Sequence, residues 1–147
     1  MKPSPTLCPA KNVRSILGNT RRADISFYSS GKIDITSRIA NALGMVDGDV
    51  IDIMMWKGEF YLYVSVHASD ICGRHEAQCF PSKRGGRHFR TWCRRLCSAI
   101  ISECGINVTD ALHGKETSRV SFAAGEVAEV HGRKAITIIT RNIIHHD

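Results

Sequence analysis

From Asp24 onward the apolar positions fall into a run of short periods. Ile25 and Phe27 alternate with polar neighbours, Ser29-Ser30-Gly31-Lys32 supplies turn residues, and Ile33 and Ile35 alternate again, so two paired strands are expected. Thr36-Ser37 follows, hydroxyl residues suited to accept the orphan N–H groups of a helix start. Ile39, Ala42 and Leu43 then form one stripe of a short helix, which Gly44 ends with a left-handed cap. After the turn Asp47-Gly48-Asp49, residues Ile51, Ile53 and Met55 share one side of a third strand. Phe60, Leu62, Val64 and Val66 share one side of a fourth, with Lys57-Gly58 as the hairpin loop between them. The expected order is strand, strand, short helix, strand, strand.

His67 to Gly73 reads as a connector, after which the same syntax returns. Ala77 to Phe80 reads as a strand, Pro81 to Gly86 as a turn, Arg87 to Arg90 as a second strand, and a helix is expected from Thr91. Along that helix Cys93, Leu96, Cys97, Ile100, Ile101 and Cys104 make a stripe at spacings of three and four, with Thr91, Arg95, Ser98 and Ser102 on the other side, and Gly105 closes it. Residues 106–117 read as an irregular insertion. Strands resume at Val120 and Phe122 and at Val127 to Val130, then a turn at His131-Gly132-Arg133-Lys134 leads into Ala135 to Thr140. Pairing Ile35 with Phe89 sets Thr91 opposite Ser37, and Arg94 and Arg95 opposite Ala40 and Asn41, while His131-Gly132 stands where Lys57-Gly58 stood. Ahead of everything lies a basic N-terminal arm, residues 1–22, with Arg14, Arg21 and Arg22 and room for a helical turn around Val13 to Leu17.

The order of elements over Asp24 to Val66, with Gly-Lys-Ile-Asp-Ile at 31–35 and Leu-Gly-Met-Val-Asp-Gly-Asp at 43–49, resembles the swapped-hairpin module of the AbrB/MazE-like DNA-binding family of transcription factors and antitoxins. Members of that family usually read G-R-I-x-I-P, a short helix carrying arginines, then L-G-I-x-x-G-D. Here Lys32 stands at the position of the family's arginine, Thr36 replaces the proline, and Ala40 and Asn41 stand where the helix arginines tend to be. The resemblance implies DNA binding and a mainly β (α+β) fold, an AbrB-like barrel with short helices. A swapped-hairpin unit cannot bury both sides of its short strands alone, and the family works as interleaved dimers. Two copies in one chain would close the barrel internally, giving one pseudo-duplicated domain over residues 23–147 with halves 23–70 and 71–147.

At 147 residues and 43% apolar content the chain has enough material for a packed core. Its formal charge of +6 favours acidic partners, nucleic acid above all. That charge is concentrated: between Gly73 and Cys97 stand Arg74, Lys83, Arg84, Arg87, Arg90, Arg94 and Arg95 against the single acid Glu76, a balance equal to that of the whole chain. With His88, Phe89 and Trp92 interleaved, the cluster suits guanidinium contacts to phosphates and guanine edges. Arginines at a helix start oppose its dipole, so stability alone would not select them. Candidate nucleic-acid-binding residues are therefore Lys32, Arg74, Lys83, Arg84, Arg87, Arg90, Arg94 and Arg95. Double-stranded DNA is the expected partner, alongside a homodimer or a protein partner; the alternative function is a non-catalytic adaptor or assembly protein whose basic face binds an acidic protein.

Other chemistry has weaker sequence support. Cys72, His75 and Cys79, with His67 or His88, could be drawn as a zinc site, but the spacing is not a standard one. His145-His146-Asp147 reads as a frayed tail. The cysteines on the helix stripe read as small buried apolar groups. No Walker or Rossmann glycine loop, G-x-S-x-G elbow or H-E-x-x-H is present in the sequence, so neither an enzyme nor a cofactor is expected. With no signal-type apolar run at the N-terminus and no long apolar stretch, the expectation is a cytoplasmic protein with no membrane association and reduced thiols.

Overall fold

Strand pairing dominates the architecture. The computed structural model describes residues 23–84, 86–104 and 119–144; the basic arm, the 106–117 insertion, the helix stop at Gly105 and the histidine tail lie outside them. In chain order the elements are β1 (Ile25–Tyr28), β2 (Lys32–Ile35), α1 (Ser37–Leu43), β3 (Val50–Trp56), β4 (Glu59–Val66), a 3-10 turn at Ala68–Asp70, β5 (Phe80–Pro81), β6 (Phe89–Trp92), α2 (Arg94–Glu103), β7 (Arg119–Val130) and β8 (Arg133–Ile144). The strands form one sheet in the order β3-β4-β8-β7-β1-β2-β6-β5. All its pairings are antiparallel. It curls into a half-barrel around a core in which Phe27, Ile33, Ile39, Leu62, Phe122 and Ile136 are buried.

The two ends of that order are stitched together. Val50 at the start of β3 bridges Gln78 just before β5. Around the bridge, Gly48 N–H donates to Cys79 O at 2.7 Å, Cys79 N–H to Asp49 O at 2.8 Å and Ile51 N–H to Ala77 O at 3.1 Å. The expected strand at Ala77 to Phe80 is thus divided: residues 77–79 pair with β3, and only Phe80 and Pro81 pair with β6.

The hairpins β3–β4 and β7–β8 use the same turn. Lys57 and Gly58 have φ of 53° and 79°, His131 and Gly132 have 52° and 78°, and the flanking pairs Trp56–Glu59 and Val130–Arg133 leave two-residue loops. Left-handed geometry at both central positions matches the twist of antiparallel strands. β7 runs unbroken from Arg119 to Val130 where two pieces were expected; register shifts between Ser121 and Ala123 and between Ala124 and Val127 disrupt the period.

Both helix starts differ from expectation. Thr36 is the N-cap of α1, but its hydroxyl donates to Asp24 O at 3.1 Å; the Ser37 N–H is taken instead by His88 Nδ1 at 3.3 Å. Helix α2 begins at Arg94 with Cys93 as N-cap, not at Thr91. Thr91 and Trp92 stay in β6 because the ladder to β2 continues through Ile33–Thr91 and Lys32–Trp92, and the buried Thr91 hydroxyl donates to Gln78 O at 2.7 Å. Tertiary pairing overrides the capping preference. With Thr36 and Cys93 as the two N-caps, Arg94 and Arg95 take the first two positions of α2, as Ser37 and Arg38 do in α1. Ala40 is in fact fully buried, with no room for an arginine.

Candidate nucleic-acid interface

Glycine at position 31 sets up the site. Its φ of +101° lets the β1–β2 turn close, and a Cβ there would fall 2.7 Å from Arg94 Cγ. The Cys93 N–H donates to Gly31 O at 2.8 Å. The first turn of α2 therefore sits directly on the β1–β2 turn, which brings Arg94 beside Lys32 although they are far apart in sequence.

Directly opposed residues in antiparallel strands share a face. The face turned away from the core can be read off the register as two rows. One runs from Arg119 on β7 through Tyr28 to Lys32 and Trp92: the β7–β1 register pairs Tyr28 with Arg119, and the β2–β6 register pairs Lys32 with Trp92. Lys32 Nζ lies 4.1 Å from the Tyr28 ring centroid, and Arg119 donates to the Tyr28 hydroxyl at 3.1 Å. The second row runs Ser121, Ser26, Asp34, Arg90, Phe80. Within it the Ser26 and Ser121 hydroxyls share a buried hydrogen bond of 2.7 Å, and Arg90 Nε donates to Asp34 Oδ1 at 2.6 Å. The hydrogen bond to Asp34 is the main reason the Arg90 guanidinium holds its proton more tightly than usual. At the open end of these rows Trp92 is 59% exposed and Phe80 51% exposed.

The predicted cations separate into two groups, one at each end of β6. Lys83, Arg84 and Arg87 lie in the exposed turn before Phe89, and Lys32, Arg94 and Arg95 gather at the Trp92 end, with Arg90 between. Arg87 is partly a structural residue: its guanidinium donates to the Met45 carbonyl just past α1. Together with His88 it clasps both ends of that helix. Arg95 reaches Glu76 at 2.9 Å with its side chain 84% exposed, an ion pair too solvated to neutralise it firmly. Among the described residues Arg74, Lys83, Arg84 and Arg94 are exposed and have no acidic partner. Arg74 lies on a loop of exposed residues at 72–76 and makes no side-chain hydrogen bond, ion pair or ring contact with the described residues. Tyr28, Arg119 and Phe80 were not singled out from the sequence, because sheet pairing alone brings them to this face. The alternation of Ser26 and Tyr28 against buried Ile25 and Phe27 was the one available signal.

Among the described residues the Cys79, Cys93 and Cys97 thiols are core groups. Burial, reinforced by nearby Asp49, pushes the Cys79 thiol up to about 12, and burial pushes Cys97 up to about 11. Burial likewise raises Cys93 and Cys104. The Cys93 thiol donates to Glu76 Oε2 at 3.3 Å beside a cavity of about 470 Å³ between the start of β3, residues 75–77 and α2. Cys79 is buried and Cys72 exposed, and among the described residues no three His, Cys, Asp or Glu side chains gather as a metal site. Among them, too, no helix is long and apolar enough to cross a membrane. No family model, curated protein or solved structure matches the chain.

Proposed function

We propose that the protein is a small DNA-binding protein of the AbrB-like, swapped-hairpin type, a transcriptional regulator or antitoxin-like module acting on double-stranded DNA. The observation that carries the reading is the set of exposed cations without acidic partners at the β5–β6 turn and the first turn of α2. Two arginines head that helix with no acid in its first turn, an arrangement that costs about 0.3–1 kcal/mol per charge against the helix dipole. A polyanion placed there turns the cost into a gain, since phosphates favour a helix N-terminus and neutralise the guanidinium groups.

The likeness of the two halves supports the family part of the reading. Exchanging β1–β4 with β5–β8 leaves the strand order unchanged once its ends are joined through Val50 and Gln78. In each half an arginine in the first helical turn reaches back to an acid ahead of the first strand: Arg38 to Asp24 at 3.0 Å, Arg95 to Glu76 at 2.9 Å.

The test is a salt titration of duplex binding. Replacing Lys83, Arg84, Arg94 and Arg95 with alanine, and keeping Arg87 for its hold on α1, should flatten the fall of log affinity with log salt by up to about 0.9 per lost phosphate contact. An unchanged slope and affinity would refute the assignment. No mobility shift of random duplex by the unaltered protein at moderate salt would favour the adaptor alternative.

A further inference from the structure

We infer that the outward face of β2, β6 and β5 is a stacking platform for unpaired nucleobases, with Trp92 and Phe80 each receiving one base of a single-stranded segment. The inference rests on the nucleic-acid reading above and names a second form of the substrate.

Two large aromatic side chains are more than half exposed on one face of neighbouring strands. Phe80 pairs with Arg90, two residues from Trp92 on the same side of β6, so the rings stand at a diagonal, with about 7–8 Å between their backbone positions. That spacing suits two successive bases, each lying on a protein ring in place of its stacked neighbour. Among the described residues Trp92 has no ring or cation partner, whereas Tyr28, further along the row, has its ring engaged by Lys32 and Arg119. Cations flank each ring: Lys32 and Arg94 beside Trp92, Lys83 and Arg84 just after Phe80. A purely hydrophobic partner would have to desolvate those charges, whereas a nucleic-acid strand offers phosphates for the cations and flat apolar faces for the rings.

A duplex reaches the flanking cations only through its phosphates, because its base faces are hidden in the stack. Only unpaired bases can lie flat on Trp92 and Phe80.

The experiment uses the full chain carrying Trp56→Phe, which leaves Trp92 as the only tryptophan. It is titrated with an oligothymidylate of about 12 nucleotides and with a mixed-sequence duplex of equal length, reading tryptophan fluorescence and the anisotropy of labelled DNA. The expected result is saturable quenching by oligothymidylate. Trp92→Ala should weaken oligothymidylate by about tenfold or more, Phe80→Ala should weaken it less, and Trp92→Phe should restore most of the affinity, all with duplex affinity held within about twofold. Circular dichroism of each variant checks that the fold is retained. Oligothymidylate binding that is undetectable, unquenched or indifferent to Trp92→Ala, alongside normal duplex binding, overturns the platform and leaves the DNA-binding reading standing. Failure to bind either nucleic acid overturns both.

Discussion

Leu62 on β4 pairs directly with Ile136 on β8, and each stands four residues beyond the glycine of its own two-residue hairpin, Gly58 and Gly132. Both side chains are buried, at 0% and 1% exposure. The pairing joins the two hairpins at matching positions, so the centre of β3-β4-β8-β7 looks alike from either side. Truncating Leu62 or Ile136 to alanine should each cost about 2–5 kcal/mol through lost burial and a residual cavity. Because they touch, the double variant should depart from the sum of the singles by about 0.5 kcal/mol or more. Urea unfolding of the four proteins measures the coupling; strict additivity would show that the two sites respond independently.

Lys57 and His131 hold left-handed backbone without being glycine, a conformation that costs most side chains about 1–2 kcal/mol. Asparagine tolerates it, and Asn-Gly is the favoured pair for this turn. Lys57→Asn should therefore raise stability by up to about 1 kcal/mol, read as a higher thermal midpoint. His131→Asn should gain similarly, each gain being reduced by a lost contact with Trp56: His131 packs edge-on to it with centroids 5.4 Å apart, and Lys57 Nζ lies 4.7 Å from its centroid.

Asp24 fastens three elements at once. Its Oδ2 accepts from the Ala124 N–H at 2.7 Å and from Arg38 at 3.0 Å, and its own N–H donates to Phe122 O at 2.9 Å. Asp24→Ala strands a buried amide of β7 and leaves Arg38 only its hydrogen bond to Ala124 O at 2.8 Å, and should cost about 2–3 kcal/mol in equilibrium unfolding. Arg38→Ala, which leaves the amide bonded, should cost distinctly less.

His88 supplies an acceptor that α1 otherwise lacks, since the Thr36 hydroxyl is committed elsewhere. His88→Ala should destabilise the protein by about 1 kcal/mol, as loss of a helix cap does. The loss should appear as faster amide exchange in the first turn of α1, with α2 unaffected.

The buried thiols set an alkaline limit on stability. With folded-state values near 12 for Cys79 and near 11 for Cys97, against 9.0 for an ordinary thiol, the unfolded chain loses its thiol protons first as pH rises. Their contribution is fully present below pH 9 and is lost as pH rises from 9 to about 12. The urea midpoint should fall across that window. Cys79→Ala should start lower, for want of a packed side chain, but fall less steeply.

Much of this fold is legible in local pattern. The two-residue hairpin at Lys57-Gly58, the cap at Gly44 and the inward stripe through Cys97, Ile100 and Ile101 follow from spacing and turn chemistry, whereas the turn expected over His131 to Lys134 is shorter, since β8 already starts at Arg133. What escaped is non-local. Thr91 reads as a cap until β2 is there to hold it in a strand, and Ala77 to Cys79 reads as part of β5 until β3 pairs with it. Between Gly73 and Cys97 the sequence exposes a density of arginines but not their employment: Arg87 on Met45, Arg90 on Asp34 and Arg95 on Glu76 depend on partners brought in by folding. For the same reason Tyr28 and Arg119 are invisible as neighbours until β1 and β7 align.

The inner hairpin of the first half is flanked on both sides by strands of the second, β1 against β7 and β2 against β6, while β4 leans on β8. Neither half owns a complete set of neighbours. A chain severed in the exposed stretch from Cys72 to His75 should therefore yield two fragments that are unstructured apart and reassemble when mixed, so that this protein is suited to conversion into an obligate heterodimer by a single cut.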